Sequence, residues 1–295
     1  MELSVIIVSF NVSDFLKQCL HSVIKASCNI DCEIFVVDNN SADDSCEIVE
    51  HNFPEITLIR NKINTGFSAA NNQAIKLSKG KYVLLLNPDT IVEENTFSKC
   101  ISFMNNHPGC GALGVRMTDG EGEFLPESKR ALPTLPTAFF KTFGISFLFP
   151  RSRVFNRYHL PHIGRFETAR IDVISGAFMF IRHNALDKAG LLDEDFFMYG
   201  EDIDLSYRLL KTGYNNYYFA DTQITHFKGK STVRNNFEDI SHFYRAMRTY
   251  IRKRSEERDH KLVYRLITPA IYLRQGLAVA NRVIKIVRSE NVIHN

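Results

Sequence analysis

Apolar residues follow two rhythms along this chain. Short unbroken runs alternate with stretches in which apolar positions recur at helical spacing. LSVIIVSF (3–10) is rich in β-branched residues and free of charge, which predicts a strand buried on both faces. Ser13 or Asp14 can cap the helix that follows, with Phe15, Leu16, Cys19, Leu20, Val23 and Ile24 on its apolar face. EIFVVDNN (33–40), ITLIRN (56–61), YVLLLNPD (82–89) and GALGVRM (111–117) predict further strands. Between them the pattern predicts a helix opening at Ser41 with Asp43 and Asp44, and a helical FSAANNQAIKLSKG after Gly66. Pro88 should end the fourth strand, and Glu93 and Glu94 should fall in the first turn of another helix, where the macrodipole favours acids.

The rhythm breaks at 118–170. TDGEGEF reads as a hairpin turn, and the proline- and phenylalanine-rich segment after it reads as an inserted excursion. DVISGAFMFIRH (172–183) predicts a strand with a small Ser-Gly-Ala step. Asp204 to Lys211 predicts a helix with Gly213 as its C-cap, and NNYYFA a last strand. A loop from His226 to Thr232 leads into long helices from about 238 to 287, which Pro269 should break or kink.

Strands alternating with helices imply an α/β protein, with a mostly parallel sheet flanked by helices. Ligands of such sheets sit at the carboxyl ends of the strands. Three predicted strands end there in polar groups: Ser9-Phe10-Asn11, Asp38-Asn39-Asn40 and Asn87-Pro88-Asp89.

Composition adds limits. The chain has 295 residues, 44% hydrophobic and 23% charged, enough for a soluble domain with a sizeable core. The net charge of +3 hides an asymmetry: twelve Lys/Arg and three Asp/Glu lie between His242 and Arg288, so the tail is basic and the body mildly acidic. Such a tail can dock on the body, pair with a second copy, or lie on an anionic membrane surface. Cys19, Cys28, Cys32, Cys46, Cys100 and Cys110 match no zinc pattern, and reduced thiols in a cytoplasmic protein account for them. The N-terminus lacks the basic region of a signal peptide, and no apolar stretch is long enough to predict a membrane span.

The absence of G-x-G-x-x-G after the first strand, and of a P-loop, excludes dinucleotide and P-loop NTPase readings. Asp38 can accept from a base or ribose, or simply close a turn. Pro88 aims Asp89 outward, as a ligand for a hard divalent cation or as a turn residue. FFMYGEDIDLSYRL (196–209) places Glu201, Asp202 and Asp204 beside an aromatic wall. They can do acid/base work or stabilise a helix start, and the second reading is preferred for Asp204. His226, before a basic glycine loop, is a ligand or a structural histidine.

Taken in order, SVIIVSFN, VVDNNSADDS, NTGFSAANNQAI, YVLLLNPDT, SGAFMFIR, FFMYGEDIDLSYRLLKTGY and THFKGKS closely resemble the family 2 glycosyltransferases of GT-A fold, especially their bacterial rhamnosyltransferase-like branch. The resemblance covers residues 3–235. It implies a GT-A catalytic domain over 1–235, with a nucleotide-sugar half (1–117) and an acceptor half (118–235), followed by a basic helical extension (236–295). Ser9, Phe10 and Asp38 would hold the base, and Asn64, Gly66 and Asn71 the ribose and diphosphate side. Asp89 would stand where the family's metal-binding D-x-D ends, with Asn87 in place of its first acid. Mg²⁺ or Mn²⁺ would sit at Asp89, with His226 as a second ligand or as a phosphate donor. Asp202 would be the base and Glu201 its orienting partner. Ser175, Gly176, Ala177 and Tyr199 would meet sugar or acceptor, and Lys228 and Lys230 would close over the diphosphate. The implied activity is inverting transfer from an NDP-sugar, dTDP-rhamnose or a UDP-hexose, to a saccharide or lipid-linked acceptor in cell-surface polysaccharide synthesis. The protein would work in the cytoplasm or at the inner membrane face and would bind no nucleic acid. The alternative is a nucleotide-sugar-binding protein without turnover, for which Asn87 is the support.

Overall fold

The computed structural model describes residues 1–133, 157–227, 237–257 and 261–293. Its centre is one nine-stranded sheet of β1 (Leu3–Ser9), β2 (Cys32–Asp38), β3 (Thr57–Arg60), β4 (Tyr82–Leu86), β5 (Thr90–Val92), β6 (Cys110–Thr118), β7 (Ala169–Ile171), β8 (Phe178–Arg182) and β9 (Asn215–His226). The order is β3-β2-β1-β4-β8-β6-β9-β5, with β7 also on β9. β1, β2, β3 and β4 pair in parallel, as do β6 and β9, whereas β8 runs antiparallel between β4 and β6. The sheet is therefore mixed but mostly parallel, and only the short strands β5, β7 and β8 oppose the common direction.

Alternation along the strands builds a core on each face. Leu3, Val5 and Ile7 of β1 face one side with Leu84, where they meet Leu16, Leu20 and Val23 of α1 (Ser13–Ala26) and Phe97 and Ile101 of α4 (Thr96–Asn106). Ile6 and Val83 face the other side, against Ala70 and Ala74 of α3 (Phe67–Ile75), Leu186 of α5 (His183–Ala189) and Leu205 and Leu209 of α6 (Glu201–Lys211). Burial on both faces explains the unbroken apolar runs.

Several predicted boundaries move. The helix expected from Ser41 is α2 (Ser45–Asn52). Asp38 Oδ2 accepts the Ser41 amide, and Asp43 accepts the Ser13 and Ser45 amides, so local side-chain bonds replace the first helical turn. Strand β4 ends at Leu86 rather than Asp89, because Thr90 Oγ1 closes a turn onto the Asn87 carbonyl. The short β5 then pairs with β9, Val92 is held in that ladder, and Glu93 and Glu94 lie outside α4. Residues 172–177 are not strand. They link β7 to β8, and Asn216 holds them through the Asp172 carbonyl. α5 was not predicted, α6 starts at Glu201 rather than Asp204, and β9 continues past NNYYFA to His226. The expected hairpin turn at 118–124 is present, with Thr118 bridged to Phe124.

The tail is a helical hairpin of α7 (Phe237–Glu257) and α8 (Lys261–Ile293), joined through Tyr244, Ile251 and Ile271. Pro269 does not break α8: Arg265 and Pro269 both lie on its exposed side, where a carbonyl that loses its partner is solvated. α7 is fastened to the body. Arg254 pairs with Asp204, Lys253 with Asp193 and Asp195, and the His242 ring stacks on Phe197 at 4.5 Å. Asp204 also holds Arg208 at 2.7 Å and does not line the cleft described below. All six cysteines are free thiols, and burial pushes Cys19 up to about 12.

Candidate active site

A cleft of about 340 Å³ opens at the carboxyl ends of β1, β2 and β4. Val8, Phe10, Asn39, Asn64 and Gly66 line one side, and Asn87, Pro88 and His226 the floor. Ser175, Gly176, Ala177, Met198, Tyr199, Glu201 and Asp202 form the facing wall. Residues from both ends of the sequence motif set thus meet over one space.

The turn before α3 allows no side chain at Gly66. Its φ is +83°, and a Cβ there would lie 2.5 Å from the Phe197 carbonyl oxygen. The Phe67 amide donates to that same carbonyl at 2.7 Å, which locks the Asn64 turn to the aromatic wall. Asn39 completes the lock by donating to the Gly66 carbonyl at 3.2 Å and accepting from Thr65. Tyr199 and Gly200 are both left-handed, with φ of 69° and 84°. This bend turns the chain into α6, so that Glu201 and Asp202 open the helix facing the cleft.

Asp202 Oδ2 accepts from Arg130 at 2.5 Å and from the Gly176 amide at 3.3 Å, while Oδ1 accepts the Ile203 amide at 2.8 Å. Arg130 also donates to the Ile174 carbonyl at 3.0 Å and to the Tyr158 hydroxyl at 3.3 Å. Burial works against the Arg130 charge, but the Asp202 carboxylate outweighs it and holds the guanidinium above its ordinary value. Glu201 differs. It is 7% exposed, its Oε2 finds no partner among the described residues, and burial, with the neighbouring Asp202 charge, pushes it up to about 8. At neutral pH Glu201 is therefore mostly a neutral acid.

That environment has a stability signature. A carboxyl raised in the folded state contributes stability that is complete below its unfolded value, about 4.3, and lost as pH rises through the folded one, about 8. Glu201→Gln should flatten the fall in Tm between those limits. Parallel thermal melts of the two proteins across that range check this, and superimposable slopes would contradict it.

On the floor, His226 Nε2 lies 3.3 Å from Asp89 Oδ1. Both side chains are buried, and His226 Nδ1 has no partner among the described residues. No group of three His, Cys, Asp or Glu that could hold a metal occurs among the described residues. The Asp89 carboxylate and the His226 ring offer two donors within 3.3 Å of each other, so a cation held there would complete its shell with substrate phosphates and water.

Other expected positions fall as follows. Ser9 and Asp38 are paired neighbours at the ends of β1 and β2, both buried. Ser9 Oγ and Asp38 Oδ1 lack partners among the described residues. Phe10 is exposed at the rim. Asn71 does not line the cleft; its amide donates back to the Phe67 carbonyl at 2.8 Å. Lys228 and Lys230 lie outside the described residues.

Residues 4–188 match the family described as "Glycosyl transferase family 2". The chain belongs to that family. This glycosyltransferase is 26% identical over 260 residues to the N-acetylglucosaminyl-diphospho-decaprenol L-rhamnosyltransferase of Mycobacterium tuberculosis, covering 84% of this chain and 83% of the relative. It is 25% identical over 258 residues to the rhamnosyltransferase WbbL of Escherichia coli, covering 84% and 89%. In fold it is similar to the mannosyltransferase PcManGT of Pyrobaculum calidifontis, with a TM-score of 0.58 at 15% identity over 100% of this chain and 81% of that one. It is likewise similar to a fragment of Staphylococcus aureus TarS, with a TM-score of 0.56 at 18% identity over 84% and 64%.

Sequence reasoning missed several cleft residues of this glycosyltransferase. Arg130 is the most consequential, and it comes from the segment without a pattern. Its one signal was a basic residue in ESKRALP, indistinguishable from a surface charge. Asn39, Glu127 and Phe67 were also not singled out as site residues, although all three line the cleft.

Proposed function

We propose that the protein is an inverting glycosyltransferase that carries a sugar from a nucleoside-diphosphate donor to a saccharide or lipid-linked acceptor hydroxyl. dTDP-rhamnose is the favoured donor, with UDP-hexoses next. The observation that carries the reading is the shared cleft, with Glu201 and Asp202 on one wall and Asn87 and His226 at the floor, the buried Asp89 lying behind His226 at 3.3 Å. The relatives' names support a rhamnosyl donor and a lipid diphosphate acceptor, and similar folds have been solved with GDP-Man and Mn²⁺ or with UDP.

In this mechanism Ser9, Asp38 and Phe10 take the base, and Asn39, Asn64 and Gly66 the ribose and diphosphate side. Asp89 and His226 would hold Mg²⁺ or Mn²⁺, which when bound offsets the charge on the departing diphosphate. The acceptor oxygen bonds to C1 from the face opposite the diphosphate, the C1–O bond to diphosphate breaks, and the hydroxyl proton passes to Asp202 Oδ1. Arg130 and Gly176 fix the other oxygen. Neutral Glu201 can donate a hydrogen bond to sugar or acceptor. Tyr199 and Met198 exclude water that would hydrolyse the donor.

A panel of NDP-sugars screened by thermal shift, with and without Mn²⁺, tests the donor reading. The expected result is a Tm rise with dTDP-rhamnose that grows with Mn²⁺, the metal-dependent part disappearing in His226→Ala. No rise with any NDP-sugar would end the proposal. Binding without transfer to any acceptor would favour the non-catalytic alternative.

A further inference from the structure

The outer face of α8 is apolar and uncovered. Leu273, Leu277 and Ile284 are 68%, 58% and 48% exposed, and with Ala280 they form one stripe at i, i+4, i+7 and i+11. Tyr272 and Val283 widen it. The opposite face is already used: Ile267, Ile271 and Ala278 pack on α7, and Gln275 accepts from Arg248 at 2.7 Å. A helix apolar on two faces has a second partner.

Charge decides which partner. Lys261, Arg265, Arg274, Arg282, Lys285 and Arg288 are spread along α8, and the first acid in the helix is Glu290. Two copies of such a helix laid face to face would repel. An anionic surface would attract it, and the apolar stripe would enter the boundary between headgroups and acyl chains. Among the described residues no helix is long and apolar enough to cross a membrane, so the helix would lie in the interface plane.

We propose that the Leu273–Leu277–Ile284 stripe of α8 docks the protein on an anionic bilayer. The hairpin links that surface to the site. α7 holds the loop before Glu201 through Lys253 on Asp193 and His242 on Phe197, so the cleft wall is carried on the element that backs the docking helix. The inference stands on the tail alone and does not depend on the donor or on turnover.

The test is co-sedimentation of the full chain with phosphatidylcholine vesicles, with and without phosphatidylglycerol, in low and high salt. Binding should require phosphatidylglycerol and weaken with salt. The double variant Leu273→Asp/Leu277→Asp should lose at least about tenfold in vesicle affinity, since each change puts a charge where an exposed apolar group would enter the bilayer. Its circular dichroism should stay that of the parent, because both side chains are exposed. Unchanged binding by the variant, or binding to pure phosphatidylcholine equal to that with phosphatidylglycerol, would overturn the proposal. So would a dimer in light scattering that the variant dissociates while vesicles bind neither protein, which would assign the stripe to a second copy.

Discussion

Asp202→Asn is expected to lower kcat of sugar transfer by about a thousandfold or more while leaving donor binding within a few-fold. The asparagine keeps the shape and accepts from the Gly176 amide, but its amide cannot take a proton. A positioned base contributes roughly 10²- to 10⁴-fold, and here Glu201 cannot stand in as base, because burial keeps it largely protonated. Glu201→Gln imitates that protonated state and should cost no more than about tenfold at pH 7. The contrast is the informative part. If Glu201→Gln inactivates and Asp202→Asn does not, Glu201 is the base and the assignments exchange. If neither changes transfer, the proton goes elsewhere and the mechanism is wrong. Donor thermal shifts on both variants separate lost chemistry from lost binding.

Arg130→Ala should be the most damaging single change for both fold and activity. The guanidinium is nearly buried and reaches Asp202, the Ile174 carbonyl and the Tyr158 hydroxyl. Removing it leaves a carboxylate in a low-dielectric pocket beside a second carboxyl group. Breaking one side of a buried ion pair costs about 3–5 kcal/mol, which should appear as a Tm drop of several degrees. Asp202 then loses the guanidinium that positions its Oδ2, so transfer should fall by about a hundredfold. Arg130→Lys keeps a charge but not the fork that spans three acceptors, and should recover stability more than rate. An Arg130→Ala protein with wild-type Tm and undiminished transfer would show that the pair is incidental.

Much of this arrangement was legible beforehand because the signals were local. Each buried strand announced itself by an unbroken apolar run, and its ligand end by the polar residues that stopped it. Glu201 and Asp202 were singled out through the family resemblance of FFMYGEDIDLSYRL, since their residue types alone also suited a helix start. Signals failed where one element depended on another. β5 is three residues long and exists through its pairing with β9. The strand expected over 172–183 splits because Asn216 and Arg130 hold its first half by backbone carbonyls. Asn71 carries the same amide as Asn39, yet one is spent within α3 and the other lines the cleft.

By itself the sequence determined the layer order, the polar ends of the strands and the residue types able to do the chemistry, since these rest on periodicity and side-chain identity. Tertiary structure alone decided what each carboxyl group is. Glu201 and Asp202 are adjacent in the chain, but one is desolvated, with its Oε2 unpartnered among the described residues, and the other is held by an arginine 72 residues away. Protonation depends on the three-dimensional surroundings, and no one-dimensional pattern records which charge will arrive there.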